Sequence, residues 1–130
     1  MCDSLFVEDH VIELLDFVTA GPTGETYNIG GHNEKQNIEL VTLLCDLMDE
    51  ALGNPSKSSR ALITYVKDRA GHDRRYAIDP TKIKNDLGWE PKVYFEEGIR
   101  KTIDWYLSHK DWLKNVTSGD YMQYYKKHYQ

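Results

Sequence analysis

Gly24-Glu25-Thr26-Tyr27-Asn28-Ile29-Gly30-Gly31 decides how this chain is read, because it sets a strand-forming run between glycine breakers, with a periodic segment on either side. Upstream, Asp9 is placed to cap a helix from His10 to about Ala20, and Val11, Ile12, Leu14, Leu15 and Val18 fall on one face of it. Ser4 to Val7 reads as the end of a short apolar strand. Downstream, Asn37 is a good N-cap for the longest helix, in which Ile38, Val41, Leu44, Cys45, Met48 and Leu52 recur at helical spacing until Gly53 ends it. Gly30-Gly31 is a lone pair after a strand and reads as a tight turn rather than a phosphate cradle.

Beyond a polar loop from Asn54 to Arg60, Leu62-Ile63-Thr64-Tyr65-Val66 has strand character and leads into Asp68-Arg69-Ala70-Gly71-His72-Asp73-Arg74-Arg75-Tyr76. Three arginines and a histidine crowd into that block of an otherwise acidic chain. An arginine fork matches phosphate or carboxylate oxygens two at a time, and Gly71 lets the backbone approach closely, so the block fits an anion. A solvated loop before a helix accounts for it equally well. Asp79 then caps a short helix with Pro80 at its first position, Ile83 and Leu87 inside it and Gly88 at its end. From about Tyr94 to Ser108, Phe95, Ile99, Ile103, Tyr106 and Leu107 form an apolar stripe, with Glu96 and Glu97 at the positive end of the helix. Asp111 to Gln130 is tyrosine-rich and reads as a turn and a last helix covering the core.

A length of 130 residues allows one domain, and a formal net charge of −5 repels a nucleic-acid backbone, so a small-molecule diphosphate fits the arginines better. Cys2 and Cys45 are too few for a disulfide framework or a metal site, which points to a reducing cytoplasm. No stretch reaches the roughly 20 apolar residues of a membrane span, and no signal pattern opens the chain. Asn115-Val116-Thr117 matches a glycosylation acceptor but carries no sugar in that compartment. The chain has no G-x-G-x-x-G, G-x-S-x-G or H-E-x-x-H. Tyr106 and Lys110 have Tyr-x-x-x-Lys spacing, but Tyr106 belongs to the apolar stripe and the match reads as chance. Glu8-Asp9, Asp49-Glu50 and Glu96-Glu97 are explained by caps, exposed faces and helix dipoles, so no residue here is assigned a catalytic role.

The order of motifs resembles the carboxyl-terminal part of the dTDP-glucose 4,6-dehydratases, which are extended short-chain dehydrogenases/reductases. The residues that carry it are Phe6-Val7-Glu8-Asp9-His10, Gly24 to Gly31, Asn37-Ile38, Asp68 to Tyr76 with Ala77-Ile78-Asp79, Leu87-Gly88-Trp89, and Gly98-Ile99-Arg100 with Trp105-Tyr106. Gly71 to Tyr76 and Gly30 to Lys35 point most specifically to the dTDP-glucose enzymes.

This resemblance implies an α/β fold class: the mostly helical substrate-binding part of such an enzyme, with a few short strands and without the Rossmann core. Residues 1–130 would be one domain, of which about 1–36 pack on or join the missing Rossmann sheet. In the family that sheet holds NAD and carries the catalytic tyrosine, lysine and Asp-Glu pair. The reaction oxidises the sugar at C4, eliminates water across C5 and C6, and returns the hydride to C6, giving dTDP-4-keto-6-deoxyglucose. Carried over to this chain, the substrate-binding positions are Asn37, Asp68, Arg69, Ala70, Gly71 and His72. Arg69 would meet the diphosphate, His72 would hydrogen-bond beside it, and Asn37 would contact the nucleotide. The implied partners are a dTDP-sugar, the missing Rossmann half or a complete dehydratase subunit, and other copies of the chain; nucleic acid and membrane are excluded.

Two positions depart from the family pattern. Ala70 stands where the family has proline, which relaxes the loop at a cost of about 0.5 to 1 kcal/mol of preorganisation. Cys2 stands where the family has a substrate-binding arginine, two residues before an aromatic that is Ser4 here, and a thiol cannot replace a guanidinium fork. The chain is therefore expected to be inactive alone and to bind loosely. The alternatives are a non-catalytic docking or regulatory module, which would expose apolar surface, and a piece of another nucleotide-sugar epimerase or decarboxylase.

Overall fold

The computed structural model describes residues 1–67, 71, 73–119 and 123. In chain order these give β1 (Cys2–Asp3), α1 (Val7–Ala20), β2 (Glu34–Lys35), α2 (Asn37–Leu52), a 3-10 turn (Ser58–Leu62), α3 (Thr81–Leu87), α4 (Phe95–Ser108) and α5 (Lys110–Val116). The described residues are mostly helical. β1 and β2 pair antiparallel, with Cys2 opposite Lys35 and Asp3 opposite Glu34. On the other edge of β1, Cys2 makes a parallel bridge to Tyr76. There the Tyr76 N–H donates to the Met1 carbonyl at 2.9 Å and the Asp3 N–H to the Tyr76 carbonyl at 3.2 Å.

Helix α2 packs against the 3-10 turn and against α4, α1 against α3, and α4 against α5. Among the described residues the buried apolar side chains are Leu47 on α2, Ile83 on α3, Trp89 after it and Ile103 on α4. Periodicity accounts for α2 and α4, and left-handed glycines stop two helices: Gly53 ends α2 at φ 69° and Gly88 ends α3 at φ 70°. Asp49, itself buried, ties α2 to the 3-10 turn. Its carboxylate accepts the Ser59 N–H at 3.0 Å, the Ser59 hydroxyl at 2.5 Å and the Ser58 hydroxyl at 3.0 Å.

Several boundaries differ from the sequence expectation. The first strand is Cys2–Asp3 and not Ser4 to Val7, because Val7 already opens α1. Asp9 is therefore inside the first turn. Instead of capping α1, its buried Oδ2 accepts the Lys92 N–H at 3.0 Å and the Val93 N–H at 2.9 Å, fixing the approach to α4. Asn37 is the first residue of α2 rather than its cap. Gln36 takes the cap position, and its N–H donates to the Glu39 carboxylate at 2.8 Å. Pro80 likewise precedes α3, while Asp79 accepts the Thr81 N–H at 2.9 Å. Where the sequence suggests a turn and then a last helix from Asp111, α5 already runs over Lys110–Val116, and most of the stretch beyond Gly119 lies outside the described residues.

Neither Thr26 to Ile29 nor Leu62 to Val66 is a strand. Leu62, Tyr65 and Val66 are each 80% exposed or more, so this apolar run finds no sheet among the described residues. Helix α1 turns its acids inward. Asp9 and Glu13, one turn apart, are buried, while Val7, Val11, Leu15 and Val18 are 57 to 79% exposed.

Candidate functional site

Asp3 organises the glycine pair. Its carboxylate accepts the Gly31 N–H at 2.8 Å through one oxygen and the Asn33 N–H at 2.7 Å through the other. A Cβ on Gly31 would lie 2.3 Å from the Ser4 carbonyl oxygen, and one on Gly30 would lie 2.7 Å from the Asp3 carboxylate and 2.9 Å from Ile78. Close approach of Gly30 to Asp3 and Ile78 and of Gly31 to the Ser4 backbone, not a left-handed turn, requires glycine at both positions. The Gly31 donor is occupied by the chain's own carboxylate, and the space beside the two glycines is taken by Asp3, Ile78 and the Ser4 carbonyl. These residues do not fit a dinucleotide cofactor.

Of the residues expected to bind substrate, Asn37 and Gly71 lie among those described; Asp68, Arg69, Ala70 and His72 lie outside them. Asn37 is exposed at the start of α2, directly after β2, and the Cys2 thiol donates a long hydrogen bond to its Oδ1 at 3.9 Å. Gly71 is exposed with φ 74°, a conformation that favours glycine. Cys2 lies between the two contributions, paired with Lys35 on one side and Tyr76 on the other. The position where the family resemblance places an arginine is thus central, and a thiol occupies it.

An ion pair that sequence reading did not anticipate joins the same segments. The Arg75 Nε and one terminal nitrogen donate to the two oxygens of Glu34 at 2.7 and 2.8 Å. Hydrogen bonds from Arg75 are the main cause holding the Glu34 carboxyl below its ordinary range, and Glu34 in turn raises the Arg75 guanidinium. Forty-one residues separate the partners, so no local spacing rule reveals them. The available signal was only an acid at the end of a short polar run and a surplus of arginines elsewhere. Asp3 was missed for the same reason.

An apolar cavity lies elsewhere. It has a volume of about 700 Å³ between the start of α1, α4 and α5, and Phe6, Phe95, Ile99, Trp105, Tyr106 and Trp112 contribute to an apolar lining. Tyr106, expected on the apolar stripe of α4, is exposed and packs edge-on against Trp105 at 5.2 Å between ring centroids. Cys2 and Cys45 are both free thiols, and no cluster of metal-ligating side chains occurs among the described residues. None of the described helices is long and apolar enough to cross a membrane.

Residues 3–102 match the family model described as GDP-mannose 4,6 dehydratase. The chain is 56% identical over 128 residues to a dTDP-glucose 4,6-dehydratase of Shigella flexneri, covering 98% of this chain and 35% of the relative. It thus spans about a third of the length of the curated relatives it matches. Among solved structures it is similar to the dTDP-glucose 4,6-dehydratase of Bacillus anthracis in complex with NAD, with a TM-score of 0.71 and 43% identity over 88% of this chain and 34% of that one. It is also similar to the dTDP-glucose 4,6-dehydratase DesIV of Streptomyces venezuelae, solved with NAD bound, with a TM-score of 0.70 and 33% identity over 85% of this chain and 32% of that one.

Proposed function

Because the chain belongs to the GDP-mannose 4,6 dehydratase family, we propose that it is the carboxyl-terminal, substrate-binding part of a dTDP-glucose 4,6-dehydratase. It would supply the nucleotide-sugar side of a site whose NAD-binding and redox half lies outside it. The observation that carries this reading is the meeting of two segments on β1: the β2–α2 junction with Asn37, and the end of the arginine block at Tyr76. Both segments are among those that carry the family resemblance. Asn37 then contacts the nucleotide, Arg69 the diphosphate and His72 a neighbouring oxygen, with Asp68, Ala70 and Gly71 completing the wall. The catalytic tyrosine, lysine and Asp-Glu pair of the family match no position of this chain, so turnover of dTDP-glucose to the 4-keto-6-deoxy sugar and water requires the other half.

Residues 1–130 act in this reading as one unit, the first 36 or so of which meet the Rossmann sheet. The outward apolar face of α1 supports that assignment, since Val7, Val11, Leu15 and Val18 present apolar surface left uncovered by the described residues. Calorimetric titration of the chain with dTDP and dTDP-glucose tests the proposal. Saturable binding is expected, weakened by Cys2 and Ala70, with UDP competing poorly. No saturable binding of either ligand overturns the substrate-site reading, and preference for UDP transfers the chain to another nucleotide sugar. The exposed face of α1 also favours a second reading, a docking module without ligand; it predicts association with a complete dehydratase subunit and no nucleotide dependence.

A further inference from the structure

We infer that Arg75 and Glu34 are positioning residues that set the spacing between the two halves of the nucleotide-sugar site; this rests on the substrate-binding reading above. Arg75 belongs to the cationic block by composition, but two of its nitrogens are already bound to both oxygens of Glu34. A planar fork held at two points fixes orientation as well as distance, which a lysine ammonium could not do. The pair spans β1 from one edge to the other. Glu34 belongs to β2, antiparallel to β1, whereas Arg75 adjoins Tyr76, which bridges to Cys2 in parallel. Asn37 follows Glu34 by three residues, and Gly71 precedes Arg75 by four.

β1 and β2 are each two residues long, so backbone pairing there consists of very few hydrogen bonds. Short ladders of this kind open readily. The ion pair adds a second, side-chain tether across the same three segments. It is partly exposed, 63% on Arg75 and 31% on Glu34, so its contribution to global stability is small and screened by salt. Its consequence is local: it keeps the Tyr76 end of the arginine block in register with the start of α2.

The test uses the 130-residue chain and its Glu34→Gln, Arg75→Gln, doubly neutral and charge-exchanged (Glu34→Arg with Arg75→Glu) variants. Two quantities are read from each: affinity for thymidine diphosphate by titration, and exchange protection of the Tyr76 amide by NMR. Each single variant should weaken thymidine diphosphate binding about three- to tenfold and lower Tyr76 protection, with the melting temperature nearly unchanged. The doubly neutral variant should be no worse than either single one, and the charge exchange should recover part of both losses. Wild-type affinity in the single variants, or losses that simply add in the double, overturns the positioning role. Should the wild-type chain bind no thymidine diphosphate, the substrate-binding reading falls, and Tyr76 protection alone decides whether the pair holds the segments together.

Discussion

Glu13 and Asp49 are both buried carboxylates on helices, and their surroundings push them in opposite directions. Glu13 has an oxygen with no hydrogen-bond partner, and burial raises its pKa; His10 opposes the rise and Asp16 adds to it. An acid whose folded pKa lies above its unfolded value binds more protons when folded, so its contribution to stability falls as pH rises from about 4.5 through the folded pKa. Glu13→Gln should therefore flatten that slope and raise stability at pH 7 by roughly 1 kcal/mol, or about 3 °C in melting temperature. Thermal unfolding of both proteins at pH 4 and pH 7 checks this; an equal gain at both pH values would show that the ionised carboxylate is not the cause.

Asp49 is held at about 2, chiefly by the Ser59 hydroxyl and N–H, with Ser58 and Asn54 adding donors. Its folded pKa lies below the unfolded value of about 3.8, so its stabilisation is complete above that value and lost as pH falls toward 2. Asp49→Asn is expected to lower the midpoint of unfolding at pH 7 and to shrink the difference from wild type near pH 2. Urea denaturation across that range measures both. Neither carboxylate's role was legible in the sequence, where Asp49 read as part of an exposed acidic pair. Its meaning comes from the serines of the 3-10 turn, which reach it only after the chain reverses at Gly53.

The helices followed closely from local pattern, because apolar spacing, proline near an N-terminus and glycine at a C-terminus act within a few residues of one another. α4 and α3 show this: Tyr94 and Gly88 stand at the boundaries the sequence proposes. Strands were less legible. Thr26 to Ile29 and Leu62 to Val66 have β-branched and aromatic residues, yet propensity describes a residue suited to a pleated surface and does not supply the neighbouring strand. In α3, Ile83 is completely buried, so Ile83→Ala should cost about 2 to 5 kcal/mol, read as a shift of the urea midpoint with little change in slope. A loss below 0.5 kcal/mol would mean that α3 does not hold the core together.

At the scale of the whole chain, the core is small and much of the apolar surface faces outward. Few apolar side chains are fully buried among the described residues, while α1 exposes Val7, Val11, Leu15 and Val18 and the late helices expose Trp105 and Trp112. Exposed apolar surface of this extent marks an interface or drives self-association. Isolated protein should accordingly form oligomers that grow with concentration. Leu15→Lys with Val18→Lys should shift it toward monomer without unfolding it, because both side chains point away from the core. Light scattering across a concentration series, with circular dichroism to confirm the helices, decides it; a wild-type monomer at every concentration would contradict the prediction.

Read alone, the sequence determined the helical segments and their glycine stops, the absence of a dinucleotide fingerprint, and the family motifs from Phe6 to Tyr106, since each depends on residues close together in the chain. Tertiary structure alone decided that Asp9 binds the approach to α4, that Asp3 accepts the Gly31 and Asn33 N–H groups, and that Glu34 meets Arg75 across β1. Those contacts join residues 28 to 84 positions apart. Which of many carboxylates finds which donor is set by the path of the backbone between them, and that path is a property of the packed molecule rather than of any local stretch.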